Sequence, residues 1–153
     1  GTVAGAAITR LMAGKTDIVM MLNGALAGLV AITAEPLTPS PLLAILIGFV
    51  GALIMYFGTK FLESLQLDDV VGAIPVHMFA GIFGTLVVPA SNPDTNFGTQ
   101  FLGVISVCVF SFVLSYIVFR TMKATIGLRI SKEAEKLGTD KAEVGVVAYS
   151  IRD

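Results

Sequence analysis

Charge is scarce in this sequence: Asp, Glu, Lys and Arg make up 14% of 153 residues, against 55% hydrophobic residues and a mean hydropathy of +0.86. A soluble domain of this size has no core large enough to hide so much apolar surface, so the composition is that of a membrane protein. Cysteine is nearly absent. Cys108, in "SVCVFSF", has no second thiol with which to close an intrachain disulfide and reads as a small packing residue. Histidine is as rare. His77 has no second imidazole, no thiol at ligand spacing and no carboxylate on its helical face, which argues against a metal site. An initiator Met and the charged start and cleavage site of a signal peptide are also missing, so the sequence reads as a piece that begins inside a transmembrane helix. No nucleophile stands beside a base outside the apolar stretches, and a net charge of −1 offers no basic surface. The sequence implies no enzyme, no cofactor and no nucleic-acid partner.

What is present is a series of charge-free runs, at residues 18 to 34, 36 to 59, 70 to 93 and 95 to 119. Each is near or above the roughly 17 to 25 residues that a spanning helix needs. They predict an all-α, polytopic bundle: the end of one helix closing at Arg10, then four complete spans near 18–34, 41–59, 69–89 and 99–119. Lys and Arg occur at Arg10, Lys15, Lys60 and from Arg120 onward, and the loops near residues 35 to 41 and 90 to 98 have neither. Basic and non-basic flanks alternate across the four spans. The positive-inside rule then puts the 10–16 loop, the Lys60 loop and the C-terminus in the cytoplasm of a multi-pass cell-membrane protein.

Small residues recur at four-residue intervals: Gly24 with Gly28, Ala27 with Ala31, Gly48 with Ala52, and Gly81 four after His77, with Gly84 three further on. Such stripes let helix backbones approach closely in lipid. A packed bundle with no conduction path would show the same stripes. From Arg129 the chain changes to a mixed, charged segment of about 25 residues, too short for a domain of its own. Residues 1–128 thus read as the transmembrane domain and 129–153 as a cytoplasmic tail, with the "GLR" junction and Gly138 as turn points. The tail docks on its membrane domain or a partner, or it is a frayed terminus.

The stretch "LDDVVGAIPVHMFAGIFGTLVVP" carries the one imidazole. A polar, ionisable group inside a span faces the bundle interior or a wet cavity and marks function by default. His77 lies eight residues past Asp69, which on a continuous helix is roughly 12 Å into a core about 30 Å thick, close to the midplane. Ala73, Ala80, Gly81 and Gly84 fall on or near its face, and Pro75 interrupts the backbone ladder. An imidazole there can donate from one ring nitrogen and accept at the other, as a proton relay or a post for a small polar permeant. A structural histidine bonded to a neighbouring helix is the competing reading.

The blocks "NGALAGLVAITA" and, about 35 residues later, "DDVVGAIPVHMFAGIFGTL", followed by a last span ending in "GLR" and a tail with "GTDKAEVG" and "AY", closely resemble the C-terminal half of ammonium transporters of the Amt/Mep/Rh family. The resemblance covers essentially the whole chain. It implies eleven-helix subunits built from two inverted five-helix repeats and assembled as homotrimers with one pore each. This chain would then hold the end of the seventh helix and helices eight to eleven. By the same resemblance His77 matches the second of two paired pore histidines, Leu26 and Ile74 match pore-lining positions, Thr33 one near the outer mouth, and Asn23 and Asp69 structural positions at helix ends. The implied activity is recruitment of ammonium at an outer vestibule, loss of its proton, and passage of ammonia along the histidines while the proton is relayed. Met78 stands where the family commonly has glycine. The tail reads "GTD" and "EVGV" where the family has a G-L-D then E-H-G-E series, an element that couples subunits and answers to a trimeric PII-type signal protein. An ammonium sensor on the same scaffold, signalling through its tail, is the alternative reading.

Overall fold

A computed structural model describes residues 1–35 and 40–148. Among them every regular element is helical: α1 (Thr2–Ala13), α2 (Ile18–Thr33), α3 (Pro41–Ser64), α4 (Ile74–Ala90), α5 (Phe97–Thr125) and the short α6 (Lys132–Leu137), followed by one π turn at Asp140–Val144. The apolar runs do form these helices, but their ends fall where turn chemistry puts them. α3 continues past residue 59 to Ser64 because Lys60 points outward and pairs with Glu63 at 2.8 Å, and it stops before Gln66, which has a φ of 56°. The span expected from residue 69 starts at Ile74, since Gly72 turns the chain with a φ of 73°. α5 begins after Asn96, whose side chain accepts the Thr99 N–H at 2.9 Å, and runs through Arg120 and Lys123 to a turn at Gly127 with a φ of 82°. At 1.5 Å per residue α2 is roughly 24 Å long and α5 roughly 44 Å, on either side of a hydrocarbon core about 30 Å thick.

The chain divides into two compact units, Gly1–Val107 and Cys108–Asp153. In the first, α2 is the hub, and it is made a hub by its glycines and alanines. Gly24, Ala27, Gly28 and Ala31 are all buried. Gly24 lies against Gly5 of α1, Gly28 against the Gly48 carbonyl of α3, and Gly84 of α4 against the backbone of Ala31. A Cβ on Gly51 would meet the Ala27 carbonyl at 2.9 Å. Where lipid provides no hydrophobic drive, backbone approach of this kind supplies the dispersion contacts that hold helices together. Around these crossings Ala27, Ala31, Ile47, Met55, Val76 and Ala80 form the core.

Contacts fix the helix directions. Gly1 and Gly5 meet Gly24 and Met20 in turn, so α1 and α2 are antiparallel. Asn23 reaches Val71, Gly81 faces Val30 and Gly84 faces Ala31, so α2 and α4 run parallel. The Asn92 amide donates to Glu35 at 2.9 Å, tying the far ends of those two helices. Glu35 and Asn92, each just past the end of its helix, therefore meet at one end of this unit. Gly58 of α3 packs on Phe79 and Pro75.

In the second unit, Ser131 caps α6 by accepting the Ala134 N–H at 3.1 Å. Gly138 then turns the chain with a φ of 98°, and the π turn folds back so that Val146 N–H reaches the Asp140 carbonyl at 3.1 Å. At both expected turn points, the "GLR" junction and Gly138, a glycine has positive φ: Gly127 at 82° and Gly138 at 98°. Tyr149 and the residues after it lie outside the described set.

Candidate functional site

His77 sits in a π turn, Ile74–Phe79, at the start of α4. Wider turns of this kind inside α-helices occur mostly as single insertions and are frequent at functional sites. The local sequence explains the irregularity. Gly72 breaks the chain direction, Pro75 has no N–H to give, and the first free N–H groups need acceptors other than helix carbonyls. Asp69 supplies them: one carboxylate oxygen accepts from Ala73 and the other from Ile74, both at 2.8 Å. The Val76 N–H then closes on the Gly72 carbonyl at 3.1 Å. With Pro75 contributing no donor, the Ala73, Ile74 and Val76 amides at the start of this helix all have acceptors.

Because the helix starts near Ala73, His77 is only about 6 Å along it, and about 7 Å on the N-terminal side of the midpoint of α4. The depth counted from Asp69 assumed a continuous helix, which the Gly72 turn interrupts.

The side chains expected to border a path fall on one side of the α2–α4 pair. On α2, Leu22, Leu26, Leu29 and Thr33 follow the 4, 3, 4 spacing of one helical stripe and are exposed, opposite the buried Gly24, Gly28 and Ala31. On α4, Ile74, His77 and Met78 are exposed while Pro75, Val76 and Ala80 are buried. The two stripes adjoin across the Gly81–Val30 contact, and the parallel register between Asn23–Val71 and Val30–Gly81 places Leu26 and His77 at a similar level. Leu26 is 48% exposed, Ile74 37% and Met78 45%. Thr33 is on the same stripe but roughly 10 Å further along, and its hydroxyl donates to the Leu29 carbonyl at 2.6 Å. His77, Ile74 and Leu26 are thus exposed residues of two neighbouring parallel helices, and Thr33 lies further along α2.

His77 itself is exposed, and among the described residues its ring has no hydrogen-bond partner. Chemically the surface is an apolar wall of Leu, Ile and Met with a single group able to donate or accept a hydrogen bond. Such a wall penalises a bare cation heavily and a small neutral amine far less. Asn23 and Asp69 take no place on it: they hold the turn from which α4 starts. Sequence reasoning missed the Asn23–Val71 and Glu35–Asn92 links, which join residues 48 and 57 positions apart and leave no local pattern.

Among the described residues are two helices, α3 and α5, long and apolar enough to cross a membrane, three shorter apolar ones, small-residue crossings among α1 to α4 and an imidazole on an apolar face, a combination that fits a membrane-embedded helical protein. Residues 1–149 match the model of the Ammonium Transporter Family, and the chain belongs to that family. It is 38% identical to the ammonium transporter Amt2 of Archaeoglobus fulgidus, an alignment covering 97% of this chain and 36% of that protein. It is 37% identical to a putative ammonium transporter of Synechocystis over 86% of this chain and 30% of the relative. Among solved structures it resembles a sensor Amt protein with a TM-score of 0.83 and 31% identity, over 93% of this chain and 38% of the other. The chain spans about a third of the length of the relatives it matches.

Proposed function

We infer that the complete protein carrying this chain moves ammonium nitrogen across the cell membrane, releasing the proton from ammonium and passing ammonia along an apolar path that His77, Leu26 and Ile74 border, with Thr33 toward the outer mouth. The observation that carries this reading is the exposed α2–α4 face, an otherwise apolar wall bearing one imidazole, in a chain of the ammonium transporter family. In the complete subunit a preceding inverted repeat covers this face and closes a lumen, giving the eleven-helix architecture with residues 1–128 in the membrane and 129–153 as a cytoplasmic tail. The subunits form a homotrimer in membrane lipid, and the tail is where a PII-type signal protein engages.

The test is electrogenic ammonium current, normalised to assembled protein, for His77→Ala and His77→Glu in the complete protein. Ala removes the polar post and leaves the hole, so current falls more than passage of neutral amine; Glu retains charge movement with altered selectivity. Current per assembled protein unchanged in His77→Ala rejects the path assignment. A second reading is favoured by the likeness to a sensor Amt protein: the scaffold binds ammonium and reports it through the tail. Ammonium binding without uptake by the unmutated complete protein selects that reading.

A further inference from the structure

His77 is launched by a turn whose backbone is held from another helix. The Ala73 and Ile74 amides end on Asp69, the Val76 amide on Gly72, and Pro75 has none to offer. The Val71 carbonyl, on the other side of Gly72, is taken by the Asn23 side chain of α2, whose Nδ2 donates to it at 3.0 Å. Gly72 keeps that amide within reach: with its φ of 73°, a Cβ there would stand 2.8 Å from the same Nδ2. One amide therefore pins the turn before the π segment to the helix that carries Leu26, three residues further on.

A π turn holds one residue more than the α turn it interrupts, and reverting to α geometry rotates the chain ahead of it by about 100° relative to the rest of the helix. Pro75 has no N–H with which to close an α turn on the Val71 carbonyl, so that carbonyl is left for a partner outside the helix. We propose that Asn23 is a positioning residue: by holding the Val71 carbonyl it fixes the register of the π turn, and with it the level and direction at which His77 stands beside Leu26. This rests on the reading that His77 borders the path. Asn23 itself touches no permeant.

The test compares Asn23→Asp and Asn23→Leu, which keep the size of the side chain and remove the donor, in the complete protein. The readout is the ratio of ammonium to methylammonium transport per assembled protein, a quantity that a contact serving only folding does not move. The loss of a single hydrogen bond that orients His77 shifts this ratio by about two- to tenfold, while Asn23→Gln, which retains an amide donor, shifts it less. A ratio equal to the unmutated protein's in Asp or Leu overturns the inference. Failure of both to assemble, with Gln assembling at the normal ratio, makes the link a folding contact and also overturns it. If His77→Ala leaves transport unchanged, the path reading falls first; if His77→Ala alters transport and the Asn23 variants do not alter the ratio, this inference falls alone.

Discussion

Asp69 in the first unit and Asp140 in the second do the same job: each carboxylate accepts backbone N–H that a sharp turn has left without helix partners. Asp140 is the exposed case. Its Oδ2 accepts the Ala148 N–H at 2.9 Å, and that bond, chiefly, holds the carboxyl below its ordinary value of 3.8. A carboxyl with a lowered folded-state pKa contributes to the folded turn above its ordinary value and loses that contribution as pH falls through the lowered one. The Ala148 amide resonance of the complete protein in micelles should accordingly stay constant near neutral pH and move upfield only below 3.8, with Asp140→Asn abolishing the titration. Movement near pH 7 instead, or none in acid, rejects the contact. Of these residues the sequence made Asp69 visible as the last charge before an apolar run, and His77 visible by its rarity. Asn23 was visible only through the family resemblance, since its partner is a carbonyl brought to it by tertiary structure.

Hydropathy located the five apolar helices because lipid selects for uncharged runs, but it could not locate their ends. Those are set by Gly72, Gln66 and Gly127 in positive φ and by the Asn96 cap. The π turn in α4 was beyond reach for a related reason: Pro75 announces a break in the ladder, yet whether the break becomes a kink, a bulge or a wider turn depends on Asp69, Asn23 and Gly58 packed around it. The small-residue stripes were legible as close-approach surfaces, and their partners were not. Two glycines give a direct contrast. A Cβ on Gly84 collides with the Ala31 backbone, which cannot swing aside as a side chain can, whereas a Cβ on Gly103 in α5 meets nothing within 4 Å. Gly84→Ala should push α4 from α2 and cost about 1–3 kcal/mol, in the manner of an overpacked core. Gly103→Ala, in a helix with none of its residues buried, should be neutral or slightly favourable. Thermal midpoints of the purified complete protein compare the two, and equal midpoints would contradict the α2–α4 crossing.

At the scale of the whole molecule, the inconsistency to resolve is that the groups best suited to face a permeant face outward. His77, Ile74, Leu26 and Thr33 are all exposed in a unit whose core lies on the other side of α2 and α4. An enclosed path needs a second wall, and an apolar surface of Leu22, Leu26, Leu29, Ile74 and Met78 left bare would take lipid tails as readily as any other membrane-facing helix. A lumen open to lipid along its length conducts nothing selectively, because water and a small polar solute gain no continuous hydrogen-bonding route across the hydrocarbon. The 153-residue chain, reconstituted alone into vesicles, should therefore show no ammonium uptake above empty vesicles at near-neutral pH, where ammonium is the dominant species. The complete protein should show uptake that depends on His77. Selective uptake by the chain alone would mean that copies of it close the path by pairing their α2–α4 faces, and uptake abolished by Leu26→Glu on that face would then identify the pairing surface in place of a second repeat.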